Sequence, residues 1–194
     1  MRVIAGSAKG RALKAVPGMN TRPTTDKVKE AIFSMIGPYF DGGWALDLFA
    51  GTGGLGIEAL SRGVERAVFV DLERGSVDVI KQNVQAAGFA ERAEIYRNES
   101  GRAVKALAKR GTTFGIVFLD PPYRMKEMDN LMKELAERGL LEAGAVIVVE
   151  HDGEHRYPEK IEGFEQTKCT QYGDTAVTIY HYRPKADSTA NLEE

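Results

Sequence analysis

The sequence has 194 residues, enough for one domain of ordinary size, and its 43% hydrophobic and 28% charged residues are typical of a soluble globular protein. The longest apolar runs are too short to span a bilayer, and the amino terminus lacks the apolar core of a secretory signal. One cysteine, Cys169, excludes an internal disulfide and suits a reducing compartment. We therefore expect a cytoplasmic protein without membrane contact.

Charge is distributed unevenly along the chain, although the net charge is only −2. The first 30 residues carry seven basic and two acidic side chains, a net charge of +5, so the remaining residues carry −7. A basic end on a mildly acidic body favours a local anionic partner, and a solvated charged arm is the alternative. The basic residues are Arg2, Lys9, Arg11, Lys14, Arg22, Lys27 and Lys29.

The first elements form an extension before the main pattern. RVIAG and RALKA flank a Gly/Lys turn, which predicts a small amino-terminal β-hairpin. TTDKVKEAIFSMI predicts a helix that Thr25 or Asp26 can cap and that carries one apolar stripe. We therefore predict an extension at 1–40, a main domain at 41–184 and a frayed tail at 185–194.

Short apolar runs then alternate with helical patterns. Strands are predicted at 44–49, 66–71, 93–97, 114–119 and 145–150, and helices near 54–62, 74–87, 99–110 and 126–138. This alternation predicts an α/β fold with a mostly parallel sheet and helices on both faces. The chain ends in two β patterns joined around YGD, so we expect seven strands with an antiparallel hairpin at one edge.

The stretch ALDLFAGTGGLGIEAL predicts a glycine turn between the first strand and its helix. Gly51, Gly53 and Gly56 fit the dinucleotide fingerprint, and Asp71 follows Gly51 by 20 residues, as a ribose-binding acid does. A nicotinamide or flavin dinucleotide and S-adenosylmethionine (SAM) are both compatible with such a turn. Asp47 favours SAM, because an acid there repels a pyrophosphate but attracts the cationic amino-acid end of SAM, directly or through water. The terminal hairpin favours the same cofactor.

Two other strand ends carry candidate cofactor ligands. Asp71 closes the second strand, where its carboxylate can accept from both ribose hydroxyls, and a helix cap is the alternative role. In RNES, after the third strand, Asn98 or Glu99 can accept from the adenine amine.

The sequence DPPY, residues 120–123, ends the fourth strand at the edge where open α/β sheets bind ligands. The exocyclic amine of a nucleobase is a poor nucleophile, because its lone pair is conjugated with the ring. Asp120 and the Pro121 carbonyl can each accept one N–H, which turns the lone pair towards an incoming methyl group. Pro122 stiffens the loop, and Tyr123 offers a face on which an extruded base can stack. Such a transfer needs no metal, and the histidines show no ligand spacing with the cysteine.

Over nearly its full length the chain resembles the RsmD family of bacterial 16S rRNA guanine-N2 methyltransferases. The matching segments are RVIAGSAKGR, RPTTDKVKEAIFSMI, DLFAGTGGLGIEALSRG, DPPY and YGDTAVTIY. The resemblance implies a Rossmann-like class I fold and a cytoplasmic enzyme that uses SAM to methylate one guanine, of the type at position 966, during small-subunit assembly. Its substrate would be rRNA in an assembling ribosomal particle.

The resemblance also implies site residues. Arg22, Thr24 and Thr25 would belong to a loop over the cofactor, in which a threonine bonds the methionine carboxylate and Arg22 adds charge. The implied cofactor site comprises Arg22, Thr24, Thr25, Asp47, Phe49, Gly51, Gly53, Asp71, Leu72, Asn98, Glu99 and Asp120. The implied catalytic loop is Asp120, Pro121, Pro122 and Tyr123, and the implied RNA contacts are Arg2, Lys9, Arg11 and Lys14.

Three other functions stay open from the residues. A DNA adenine or cytosine amino-methyltransferase would also use a DPPY motif to position an exocyclic amine, but no target-recognition domain fits in 194 residues. A protein-glutamine methyltransferase usually carries NPPY, from which Asp120 departs. A non-catalytic RNA-binding assembly factor would have no need of an intact Asp120 and glycine turn. Nothing indicates an obligate partner subunit, so we expect a monomer.

Overall fold

The computed structural model describes residues 1–18 and 24–186. The predicted cofactor residue Arg22 and residues 187–194 of the predicted tail lie outside this range. In chain order the elements are α1 (Asp26–Ile36), β1 (Trp44–Asp47), α2 (Gly54–Ser61), β2 (Arg66–Asp71), α3 (Arg74–Ala86), β3 (Ala93–Arg97), α4 (Ser100–Ala108), β4 (Phe114–Leu119), α5 (Met128–Glu137), β5 (Leu141–Asp152), β6 (Lys160–Ile161), β7 (Phe164–Tyr172) and β8 (Thr175–Tyr182). Within the described part, no helix combines the length and apolar character that crossing a membrane requires.

One sheet runs through the molecule in the order β3-β2-β1-β4-β5-β8-β7-β6. The first five strands in this order are parallel, and β8 is antiparallel to both β5 and β7. The predicted α/β fold with an antiparallel end is therefore confirmed. The described sheet has eight strands rather than seven, because the two-residue strand β6 folds back on β7 around a tight turn. A strand this short leaves no periodic pattern in the sequence.

Two strands differ from their predicted bounds for reasons of pairing. β1 ends at Asp47 instead of residue 49, since the chain there leaves the sheet for the glycine turn. β5 covers Leu141–Asp152, and its carboxyl half pairs with β8 from Val146 to Asp152. Pairing of Leu141 with β4 at one end and of Asp152 with β8 at the other thus extends β5 beyond the apolar run on which the prediction rested.

Both faces of the sheet are covered, which explains the nearly continuous apolar strands. In β4, Val117 and Leu119 join the cluster beneath α4 and α5, whereas Ile116 and Phe118 join the cluster beneath α1, α2 and α3. The carboxyl ends of β1, β2, β3, β4 and β5 meet at one edge of the sheet, where the predicted site residues lie.

The amino-terminal segment folds back on itself, but its predicted hairpin reduces to one antiparallel bridge between Arg2 and Ala12. Its backbone is held by Glu58 of α2, whose carboxylate accepts from the N–H groups of Ile4 at 2.9 Å and Ala5 at 3.1 Å. The predicted boundary near residue 40 lies inside a shared core, because residues from the segment, α1 and the sheet belong to one hydrophobic cluster.

Glu58 is fully buried and is neutralised by two buried cations. Arg62 Nε donates to it at 2.8 Å, and Lys29 Nζ lies 3.6 Å from its second oxygen and donates to the Arg2 carbonyl at 2.5 Å. Burial lowers the pKa of Lys29, and the negative charges of Glu58 and then Asp26 oppose that change. Because buried charges are tolerated only when they are paired and hydrogen-bonded, this network specifies where the segment attaches.

A second buried side chain joins the segment to the glycine turn. Asn83 of α3 accepts from the Lys14 N–H at 2.7 Å and donates to the Lys14 carbonyl at 3.0 Å. The same amide nitrogen donates to the Thr52 carbonyl at 2.9 Å, inside the turn after β1. One asparagine therefore holds the predicted RNA-binding segment against the predicted cofactor turn.

Candidate active site

The turn after β1 needs glycine for two different physical reasons. Gly51 and Gly53 have φ values of +58° and +81°, in the left-handed region that residues with a Cβ rarely adopt. Gly56 lies in α2, where an added Cβ would lie 2.4 Å from Cε1 of the buried Phe69 ring. The first two glycines therefore shape the turn, and the third allows α2 to pack closely on β2.

Asp71 lies at the end of β2, directly beside this turn. One carboxylate oxygen accepts from the Gly51 N–H at 2.8 Å, and the other accepts from the Glu73 N–H at 2.9 Å. Each oxygen retains a lone pair, so the half-buried carboxylate can still accept from the two hydroxyls of a ribose. The same bond to Gly51 ties the end of β2 to the turn.

Asp47 is buried at the end of β1, with only 1% of its surface exposed. Its Oδ2 accepts from the Gly56 N–H at 3.0 Å. Burial raises the pKa of Asp47 to about 7; the Gly56 hydrogen bond opposes this rise and the charge of Asp71 adds to it. Among the described residues no cation pairs with Asp47, so this buried carboxyl suits a cationic ligand, whose charge would favour its ionised form.

The predicted adenine contacts lie after β3, and the predicted cofactor residue Leu72 lies after β2. Glu99 caps α4: its carboxylate accepts from the N–H groups of Gly101 at 2.9 Å and Arg102 at 3.2 Å. Asn98 Oδ1 accepts from the Glu99 N–H at 2.9 Å. Leu72 is 56% exposed, an unusual exposure for a leucine, and so offers an apolar surface next to Asp71. Phe49 follows β1 and packs partly buried on the α4 and α5 side of the sheet.

The DPPY loop follows β4, which is the immediate neighbour of β1. Asp120 is half-buried and Pro121 is buried, whereas Pro122 and Tyr123 are exposed. The Tyr123 hydroxyl hydrogen-bonds the Thr175 hydroxyl at 2.5 Å, at the start of β8. The loop therefore rests against the terminal hairpin, and 44% of the tyrosine surface remains exposed.

One carboxyl group near this loop, that of Glu150, was not predicted from the sequence. Glu150 of β5 is only 8% exposed and accepts from the Thr24 hydroxyl at 2.7 Å. Asp120 lies beside Glu150, because Leu119 and Val149, which precede them, pair in the register of β4 and β5. Burial raises the pKa of Asp120, and the negative charges of Glu150 and Asp47 raise it further, while the Thr24 hydroxyl lowers it. Burial also raises the pKa of Glu150, and the hydrogen bond from Thr24 opposes that rise. The acid that ends AVIVVE, beside β4 in the sheet, was the signal that could have identified Glu150.

The two threonines before α1 are both engaged within the protein. Thr24 bonds Glu150, and Thr25 caps α1 by accepting from the Val28 N–H at 3.2 Å, as predicted for the helix start. Thr24 therefore lies at the edge of the sheet that carries Asp120, whereas Thr25 points its hydroxyl into the helix backbone.

The four predicted RNA contacts are all exposed on the amino-terminal segment: Arg2, Lys9, Arg11 and Lys14. Arg2 lies 3.5 Å from Asp26, and Lys14 Nζ donates to Gln82 at 3.1 Å. Glu58 and Asn83 fix the backbone of this segment, so the four cations lie on a part of the surface whose position is defined. In the part of the chain that is described, no group of three His, Cys, Asp or Glu residues is arranged to hold a metal ion.

Comparison with known proteins identifies relatives over most of the chain. Residues 1–181 match the family model described as conserved hypothetical protein 95. YlbH of Bacillus subtilis is 52% identical over 183 residues, which cover 94% of this chain and 100% of that protein. Ribosomal RNA small subunit methyltransferase D of Escherichia coli is 31% identical over 191 residues, covering 98% of this chain and 94% of that protein.

Solved structures agree with these relatives. The Escherichia coli protein yhhF superposes with a TM-score of 0.79 at 32% identity, over 95% of this chain and 99% of that chain. An RNA methyltransferase from Salinibacter ruber in complex with S-adenosyl-L-homocysteine shares the fold, with a TM-score of 0.63 at 19% identity over 89% of this chain and 100% of that chain. By its matched family model and its relatives, the chain belongs to the RsmD family of ribosomal RNA methyltransferases and has the class I SAM-dependent methyltransferase fold.

Proposed function

We propose that this protein is a SAM-dependent rRNA methyltransferase that modifies the exocyclic N2 amine of a guanine in 16S rRNA, of the type at position 966, during small-subunit assembly. One observation carries the proposal: the glycine turn and the DPPY loop lie at the carboxyl ends of the adjacent strands β1 and β4. A methyl donor and an amine acceptor bound at these two places would be neighbours. The names of the relatives supply the rRNA substrate class.

The residues around the turn fit SAM chemically. Asp71 has lone pairs left for ribose hydroxyls, the exposed Leu72 can cover an adenine, and buried Asp47 suits a cationic amino-acid end. A Cβ added at Gly51 would meet nothing within 4 Å, so open space borders the turn. When bound, SAM supplies an electrophilic methyl group on a sulfonium.

The other proposed cofactor residues have roles that follow from their contacts. The Glu99 carboxylate already accepts three hydrogen bonds at the start of α4, whereas Asn98 Oδ1 accepts one, so we assign the adenine amine to Asn98 with Glu99 beside it. Thr24 would act from the loop over the cofactor, and Thr25 would set the start of α1 beneath that loop. Gly53 and Phe49 would form the floor of the turn, and Arg22 would add positive charge for the methionine carboxylate.

The chain's own contribution to the reaction is to position the amine. Asp120 and the Pro121 carbonyl would accept its two N–H groups, which leaves the nitrogen lone pair facing the methyl donor. Pro122 would hold the loop shape without offering a competing N–H, and Tyr123 would stack the base. Positioning and electrostatics of this kind supply most of the acceleration in group transfer between two bound molecules.

The amino-terminal segment would bind the RNA. Arg2, Lys9, Arg11 and Lys14 are exposed on it, and phosphate contacts by such cations provide affinity that weakens with salt. We propose that residues 1–40 form this RNA- and cofactor-covering extension, that 41–184 form the methyltransferase domain, and that the protein acts as a cytoplasmic monomer without a metal.

The test is methyl transfer from tritiated SAM to immature small subunits, with duplex DNA as the competing substrate, followed by mapping of the modified nucleotide. Asp120→Ala should abolish transfer while calorimetry shows nearly unchanged SAM affinity, because Asp120 holds the acceptor rather than the donor. Transfer to DNA alone, or a methyl group on a base other than guanine, would refute the proposed substrate. A large loss of SAM affinity in Asp120→Ala would place Asp120 in the cofactor site instead.

A further inference from the structure

Thr24 Oγ1 donates to Glu150 at 2.7 Å, and Asp120 lies beside Glu150 because Leu119 and Val149, which precede them, pair in the register of β4 and β5. The Thr24 hydroxyl also lowers the pKa of Asp120. A hydroxyl has one hydrogen to donate and lone pairs with which to accept. It can donate to one carboxylate only, so the second carboxyl completes its bond to Thr24 only when it is itself protonated. A protonated Asp120 that donates to Thr24 Oγ1 would complete a chain along which a proton can move from Asp120 to Glu150.

The proposed reaction produces a proton at one end of this chain. When the amine nitrogen forms its bond to the methyl carbon, the carbon–sulfur bond breaks with its electrons going to sulfur, and the nitrogen becomes positively charged. One N–H bond must then break, with its electrons returning to nitrogen. Asp120, which accepts that N–H in the proposed function, is the first group that can take the proton.

We propose that Glu150 is a positioning residue for methyl transfer, and that it receives through Thr24 the proton that the amine gives to Asp120. The Asp120 proton moves to Thr24 Oγ1 as the Thr24 proton moves to Glu150 Oε2, so Asp120 becomes ionised again. Water then removes the proton from Glu150. This inference rests on the proposed function, because the amine is the source of the proton.

The surroundings of Glu150 support proton sharing. Asp120 lies beside it at the end of β4, and the charge of Asp47 at the end of β1 acts on Asp120. The Tyr123 phenol lies close enough to be affected by the charge of Glu150, and Val177 of β8 pairs with Glu150 across the sheet. Burial raises the pKa of both Asp120 and Glu150, so the pair keeps a proton at a pH where exposed carboxyls have lost theirs. Transfer should therefore be weak in acid and rise as the pair ionises.

The first test measures kcat against pH for Glu150→Gln, with Glu142→Gln, an exposed position in the same strand, as the matched control. We expect Glu150→Gln to lower kcat about 10- to 100-fold, with KM and SAM affinity close to wild type. The rise of kcat on the acidic side of its pH profile should move to lower pH, since Asp120 loses a neighbouring negative charge. Thr24→Val should lower kcat similarly, and Thr24→Ser should restore it. An unchanged position of the acidic-side rise in Glu150→Gln would overturn the proposal.

A second measurement requires no turnover. Carboxyls with raised pKa values destabilise the fold when they ionise, so the free energy of unfolding should fall as the pH rises from the ordinary carboxyl pKa through the raised values. Glu150→Gln should flatten this fall in urea titrations, whereas Glu142→Gln should not. If wild type transfers no methyl group, the proposed function fails, while a flattened profile still shows the shared proton; an equally steep fall in Glu150→Gln refutes the sharing.

Discussion

Asp47→Asn should make the cofactor-free protein more stable, because it removes a carboxyl that the fold keeps in an unfavourable place. The pKa of Asp47 rises from 3.8 to about 7 on burial, so ionising it in the folded state costs free energy. At roughly 1.4 kcal/mol for each pH unit, the penalty reaches an upper limit of about 4 kcal/mol above pH 7. At about pH 5 the folded carboxyl is protonated, and the penalty is only about 1.5 kcal/mol.

The assay is urea unfolding of wild type and Asp47→Asn at about pH 5 and about pH 8. Asparagine is nearly isosteric and can still accept from the Gly56 N–H, so the gain should grow with pH as the penalty does. The exposed Asp78 of α3 provides a control, Asp78→Asn, which should change stability little at either pH. An increase in the free energy of unfolding below about 1 kcal/mol at the higher pH, or an equal increase at both pH values, would refute the reasoning.

The same substitution should impair SAM binding. If Asp47 attracts the cationic amino-acid end, Asp47→Asn should raise the SAM dissociation constant by about tenfold or more, as expected for loss of a hydrogen bond to a charged group. Calorimetry at neutral pH measures it. Greater stability together with unchanged affinity would mean that Asp47 does not contact the cofactor.

Three further predictions concern the packing and charge around the site. Gly56→Ala should cost roughly 2–3 kcal/mol of unfolding free energy, because the new Cβ would lie 2.4 Å from a buried aromatic ring. Gly75→Ala in α3, where the nearest atom is 3.8 Å away, should not destabilise; equal effects would contradict the steric argument. Asn83→Ala should cost about 3 kcal/mol, since it removes three hydrogen bonds made by a buried side chain, and should weaken SAM binding; a cost below about 1 kcal/mol would mean that Asn83 does not hold the segment against the turn. Replacing Lys9 and Arg11 with glutamine should weaken RNA binding and make its salt dependence shallower, and an unchanged slope would remove the segment from the RNA path.

The strands that the sequence predicts best are those buried on both faces. The predicted bounds 66–71, 93–97 and 114–119 agree with β2, β3 and β4. Burial between two helical layers requires continuous apolar runs, and turn residues end them sharply. β5 was predicted too short and β6 was missed, because the ends of β5 depend on pairing with β4 and β8, and β6 exists only through pairing with β7.

The sequence predicted the positions of the candidate site residues that lie in short motifs at strand ends. Asp47, Asp71 and Asp120 each end a parallel strand, and the topology brings those ends together. Glu150 was not predicted, because its partner Thr24 lies 126 residues away and no local pattern links them. Glu58 was missed for the same reason: it pairs with Lys29 of α1 and accepts from the backbone of the amino-terminal segment, while its own helix suggests an ordinary surface acid.

The bond between Tyr123 and Thr175 has a practical consequence for engineering. The loop proposed to present the target amine is braced by the first residue of the last strand, so the shape of the proposed acceptor site depends on two stretches that are distant in the chain. A chimera that imports a foreign DPPY loop without its own hairpin would lose this brace. Retargeting the enzyme to another base therefore requires exchanging both stretches together.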